Sequence, residues 1–114
     1  VKPSPNNIIL TGDGTPLEQL IADTEDGILV TRFWYIRSTD ARTLGFTGMT
    51  RDGTYRIENG AVTHPVVDMR WNESVLRLLQ NVTASGKTVA TGEFIAMAMP
   101  ALRVEDFHFT SLSN

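Results

Sequence analysis

The sequence contains no cysteine, which excludes disulfides, thiolate metal ligands and cysteine nucleophiles, and fits a reducing compartment. It has two histidines, His64 and His108. Their spacing does not match the HxxxH type that puts two ligands on one helix face, and no third ligand stands near either. Long hydrophobic runs are missing too. No apolar stretch approaches the roughly twenty residues that a membrane-spanning helix requires, and the charge-poor start does not read as a signal peptide. Positive charge is in deficit. Ten Lys and Arg against thirteen Asp and Glu give a net charge of −3 and a pI near 5.2, whereas a nucleic-acid surface calls for clustered positive charge. A cytoplasmic protein with neither a nucleic-acid nor a membrane partner is expected.

Signatures of catalysis are equally sparse. Ser85, Ser111 and Ser113 have no His–Asp arrangement to activate them. Gly12-Asp13-Gly14 and Ala84-Ser85-Gly86-Lys87-Thr88 faintly resemble phosphate loops, but the second lacks the preceding strand and the first glycine of a P-loop. His64 precedes Pro65 at a turn and His108 alternates outward between Phe107 and Phe109, as ordinary partly exposed histidines do. Met69, Met97 and Met99 read as core filler, and Trp34 and Trp71 as core or interface anchors. No catalytic residue and no metal ligand is assigned within the chain.

What the chain does hold is β structure. Its 114 residues suit one domain with its own core. From Ile28 to Ile36 nearly every residue is β-branched, aromatic or aliphatic on both alternating faces, which predicts a central strand covered on both sides. Phe33 and Trp34 are then buried on opposite faces. Arg32 is the one charge inside the run, so it needs a carboxylate partner in the chain or a cavity or interface to reach. Arg32, Arg37, Arg42, Arg51 and Arg56 fall close together against only Asp40 and Asp52, a local cationic excess suited to a solvated rim or an anion-friendly patch.

Around that run, Val1–Pro5 reads as an extended lead-in and Asn7–Thr11 as a short strand. Thr15-Pro16-Leu17-Glu18 predicts a helix start with Thr15 as cap, closed at Gly27. Ser38–Arg42 is a polar loop. Leu44–Thr50, Thr54–Glu58 and Ala61–Trp71 form a meander with hairpins at Asp52-Gly53 and Asn59-Gly60, and Pro65 marks an edge position. Asn72 is expected to cap a second helix over Glu73–Asn81, which Ala84–Lys87 terminates. Thr88–Glu93 should be a loop, Phe94–Met99 a strand, and a bulge near Glu105-Asp106 keeps Leu102, Val104, Phe107 and Phe109 in the core. The predicted class is α+β, a mostly antiparallel sheet or partly closed barrel covered by two short helices.

The ordered set of these features resembles a known family. Asn6-Asn7-Ile8-Ile9-Leu10, Thr15-Pro16-Leu17-Glu18, Asp26-Gly27 before Val30-Thr31-Arg32-Phe33, Glu58-Asn59-Gly60 before Pro65-Val66, and the closing run Met99–Phe107 fall as they do in the C-terminal domain of TldD/PmbA proteins. That family is related to metalloproteases and was once described as modulators of DNA gyrase. The resemblance covers nearly the whole chain and implies that it is a piece of a longer protein.

In the metal-bearing branch the resemblance implies zinc held by two histidines of the preceding domain and a cysteine of the C-terminal domain, in the loop before the closing strands. Here that loop is about Gly86 to Glu93 and has no Cys, so the chain is closer to the PmbA-like branch without metal ligands. It departs from many relatives in having Trp34-Tyr35-Ile36 where they turn glycine-rich. The implied role is assembly and a share in a peptide-processing cavity. Zinc is then expected only in a metal-bearing partner or upstream domain, peptide or protein is the substrate, and a TldD-like subunit is a homo- or hetero-oligomeric partner. Thr31 and Arg32 are the candidate contacts to substrate or partner. The alternative is a non-enzymatic β-rich binding or assembly domain that holds a peptide or partner protein by its arginines or an open strand edge.

Overall fold

In the computed structural model, residues 7–91 and 96–112 are described. The expected lead-in over residues 1–5, the start of the strand predicted at Phe94, and Ser113 lie outside them. In chain order the elements are β1 (Asn7–Ile9), α1 (Leu17–Ala22), β2 (Asp26–Val30), β3 (Phe33–Asp40), β4 (Gly45–Thr50), β5 (Thr54–Glu58), β6 (Ala61–Val66) and β7 (Met69–Ser74). There follow α2 (Val75–Gln80), β8 (Val82–Ser85), β9 (Val89–Thr91), β10 (Ala96–Met99), β11 (Leu102–Val104) and β12 (Phe109–Leu112). The strands form four sheets, in the orders β12-β7-β4-β3, β2-β5-β6, β1-β10-β9 and β11-β8. Among the described residues β1 and β10 pair in parallel and the other strand pairs are antiparallel. The α+β class holds, and none of the described sheets closes into a barrel.

The expected central strand is two strands. The run from Ile28 to Ile36 breaks at Thr31-Arg32, and its halves sit at the edges of different sheets, β2 against β5 and β3 against β4. The neighbouring pass breaks at the same level. Asp52 (φ 62°) and Gly53 (φ 124°) occupy the left-handed region, but they turn β4 into β5 across a corner and make no hairpin, because β4 and β5 do not pair. A third pass, β6 to β7, changes sheet at Val67-Asp68. Three long, adjacent chain passes thus bend together. The bends are tied to one another: the Arg51 N–H donates to the Arg32 carbonyl (3.0 Å), and the Thr31 hydroxyl donates to the Gly53 carbonyl (2.7 Å).

Asn59-Gly60 is the hairpin its composition predicts, with φ of 50° and 79° and Glu58 opposite Ala61. Pro65 lies on the edge strand β6, where its missing N–H costs no ladder bond. Gly48, which in sequence weakens β4, is required there. It lies opposite Trp71, and a Cβ at Gly48 would come 2.7 Å from the Trp71 ring. The indole lies against bare backbone and is buried, with Phe33 edge-on at 5.3 Å and Phe107 at 5.6 Å between centroids. Phe109 extends the cluster, 4.9 Å from Phe107. Phe33 itself is 43% exposed and Trp34 half-buried, so the expected double burial of this pair does not occur on an edge strand.

The helices are shorter than the periodicity suggests. Thr15 does not cap α1; it bridges to Gly86, and Pro16 takes the cap position without a side-chain bond. Leu20 is buried and Leu17 exposed. Gly27 is inside β2, and α1 ends at Ala22. Residues 72–74 continue β7, so Ser74 instead of Asn72 caps α2, its hydroxyl accepting from the Arg77 N–H. The apolar stripe of Val75, Leu76 and Leu79 stays exposed in this chain. β3 runs on to Asp40, and the polar turn follows over residues 41–44. Val82–Ser85 and Val89–Thr91 are strands where a helix end and a loop were expected. Glu105-Asp106 is a turn between β11 and β12, which lie in separate sheets, and is no bulge within one strand.

Candidate functional site

Thr31 and Arg32, the two residues singled out by sequence, stand at the corner where the three passes bend. Both are exposed. Arg32 does have the carboxylate partner expected of it: its Nη1 lies 2.7 Å from Asp52 Oδ2. Neither end is buried, however. The two side chains are 52% and 53% exposed, because Arg32 sits in the break between two edge strands. Arg51 approaches the same carboxylate at 3.6 Å. The Trp34 ring lies under both guanidiniums, with Arg51 Cζ 4.2 Å and Arg32 Cζ 5.3 Å from its centroid.

Beside this stack the corner opens as a cleft of about 580 Å³, walled by Trp34, Met49, Arg51 and residues 65–67. At its floor Thr50 and Thr54 are wholly buried. Their hydroxyls share a 2.8 Å hydrogen bond, Thr54 Oγ1 donates to Asp68 Oδ1 at 3.1 Å, and the Met69 N–H donates to Thr50 Oγ1 at 3.0 Å. These bonds join β4, β5 and β7 exactly where the ladders are interrupted by the bends. The rim is cationic and aromatic, and the floor carries a carboxylate. Such a cleft can hold polar groups of both signs, but it brings together no nucleophile with a base.

A second concavity, of about 920 Å³, lies at the far end of the four-stranded sheet, among Phe46, Glu73, Arg77, Phe107 and His108. Glu73 is the buried charge among the described residues, its side chain only 5% exposed. It accepts from Arg77 Nη1 at both oxygens (3.0 and 2.9 Å), from the Ser74 N–H at 3.1 Å and from the His108 N–H at 3.1 Å. Arg77 also donates to the Asp106 carbonyl at 3.0 Å. A carboxylate with this many donors is a clamp for β7, α2 and the turn before β12. Sequence reasoning missed it by ending the strand at Trp71. Continued by two residues, the parity of half-buried Met69 and buried Trp71 reaches Glu73.

His64 lies on β6 and His108 beside β12, both exposed, and among the described residues no three His, Asp or Glu side chains gather as a metal would need. The two glycine-bearing segments are docked on each other. The Gly12 N–H donates to Thr88 Oγ1 (2.9 Å), Asp13 N–H to Ser85 Oγ (2.8 Å) and Gly14 N–H to the Gly86 carbonyl (3.0 Å), so these donors are spent within the fold. No described helix is long and apolar enough to cross a membrane.

A bent, mostly antiparallel α+β domain of this kind is found in solved structures of much longer chains. TldE from Thermococcus kodakarensis matches over 95% of this chain and 24% of its own, with a TM-score of 0.74 and 18% identity. A proposed modulator of a DNA gyrase from Thermotoga maritima matches over 91% of this chain and 24% of its own, with a TM-score of 0.79 and 21% identity. The chain therefore spans about a quarter of each. Among curated proteins none matches. The model of the PmbA/TldA metallopeptidase C-terminal domain matches residues 1–111, and the chain belongs to that family.

Proposed function

We propose that this chain is the C-terminal domain of a PmbA-like subunit of a TldD/PmbA-type metallopeptidase, and that it contributes to assembly and to the peptide-processing cavity without holding metal. The observation that carries the reading is the family match along residues 1–111 in a sequence with no cysteine in the Gly86–Glu93 segment or anywhere else. Zinc and the hydrolytic step belong to a metal-bearing partner or an upstream domain. Thr31 and Arg32, exposed at the corner where the chain passes bend, contact peptide or partner.

The test is to purify the full-length protein alone and together with a TldD-like subunit, and to follow hydrolysis of an unstructured peptide. Hydrolysis is expected with zinc held by the partner or by the upstream domain; zinc-dependent hydrolysis with the zinc retained by this domain would overturn the reading. Metal analysis of this 114-residue chain after dialysis should find no zinc. Stoichiometric zinc lost on changing His64 or His108 would be the contrary result.

A further inference from the structure

The four-stranded sheet has two unlike faces, and the ladder register says which residues share each. Trp34 lies opposite Met49, Met49 opposite Arg70, and Thr47 opposite both Arg37 and Asn72, so these side chains stand on one face. Arg51 joins them by stacking on Trp34. The other face carries Gly48 opposite Trp71, and Phe46 opposite Glu73, and is filled by the aromatic cluster. The first face is thus a platform of Trp34 and Met49 framed by Arg37, Arg51 and Arg70, with Arg32 at its margin.

Its charges are under-compensated. Asp52 serves Arg32 and Arg51, while among the described residues Arg37 and Arg70 have no carboxylate within ion-pair distance. Arg37 rests on the Tyr35 ring, 4.1 Å from its centroid. Both arginines are exposed. Elsewhere the chain is acidic: between residues 7 and 31 there are five carboxylates and no Lys or Arg. The cationic face is therefore a local feature on a domain of net charge −3.

We propose that this face docks an acidic peptide segment of another polypeptide. Guanidiniums pair with carboxylates in two-pronged fashion and stack on aromatic rings, and Arg, Trp and Met are the residues enriched where protein interfaces bind. Neighbouring strands are about 4.8 Å apart and alternate residues of an extended chain about 6.6 Å, so glutamates two apart reach successive arginines. A nucleic acid fits less well, because the acidic remainder of the domain repels a long polyanion. The proposal rests on the peptide- or partner-contact reading of Arg32, which stacks on the same Trp34 ring, and its binding assay is read separately from hydrolysis.

The test uses the full-length protein and a labelled twelve-residue peptide of alternating Glu and Ala, with binding read by anisotropy at low salt. The wild type should bind. The Arg37→Gln/Arg70→Gln double variant and Trp34→Ala should each weaken binding at least about tenfold with unchanged circular dichroism, while Arg103→Gln, in the β11–β8 sheet, leaves it unchanged. Absence of wild-type binding would overturn the proposal, and would mean that the face is covered within the full-length protein. Equal loss on Arg103→Gln, or tighter binding of a single-stranded oligonucleotide of equal charge, would overturn it too.

Discussion

Arg32 and Glu73 are both charged residues met along apolar-rich strand sequence, and the fold treats them oppositely. Arg32 falls in the break between β2 and β3, where its pair with Asp52 is half in water. Glu73 lies on β7, between β12 and β4 in the sheet, and its carboxylate is closed off with Arg77 and two backbone N–H donors. Position in the sheet decides the difference. A charge at an edge or corner keeps its hydration and its ion pair is worth little, whereas one on an inner strand must be fully bonded. The fold rests on β7; the corner with Arg32 is the part left in water.

The largest effect expected from this division is at Trp71. Truncation to Ala empties the space above Gly48 and removes the partner of Phe33 and Phe107, and should cost about 3–5 kcal/mol in denaturant melts. A loss below about 1 kcal/mol would show that the aromatic face is not the stabilising one. Next comes Arg77→Met, which leaves the Glu73 carboxylate buried without its counter-charge. Since Arg77 is itself 46% exposed, about 2–3 kcal/mol is expected, short of the full cost of breaking a buried pair. At the corner, Thr54→Val removes a buried hydroxyl from the bonds to Thr50 and Asp68 and should cost about 1–3 kcal/mol. No measurable change there would mean that the three bends are held by the backbone bonds alone.

Much of the strand content was legible because alternation and β-branching persist along each pass. The Asn59-Gly60 hairpin was legible to the residue, since both positions need positive φ. The corner was not. Asp52-Gly53 has the same composition as a hairpin turn, and only the pairing of β4 with β3 and β7, and of β5 with β2 and β6, shows that the chain changes sheet there. Thr31-Arg32 carries no turn residue at all; its bend is imposed by bonds to Arg51 and Gly53, about twenty residues away in sequence. Of the α2 stripe, Leu78 and Val82 are half-buried, while Val75, Leu76 and Leu79 stay exposed among the described residues. Sequence foresaw a carboxylate partner for Arg32, though a buried one, and the pair with Asp52 is half in water; the floor of Thr50, Thr54 and Asp68 exists only once three passes meet.

The smallest effect is expected at Arg32. Arg32→Met removes an exposed ion pair and one of two cations over Trp34, and should change stability by less than about 1 kcal/mol. Arg32→Met and Arg77→Met, melted side by side in urea under identical conditions, test most directly whether the inner strand or the corner carries the fold. Arg77→Met should lower the midpoint clearly and Arg32→Met barely move it. The reverse order would put a buried charge at Arg32, and the division of the molecule into a bonded inner sheet and an open corner would be wrong.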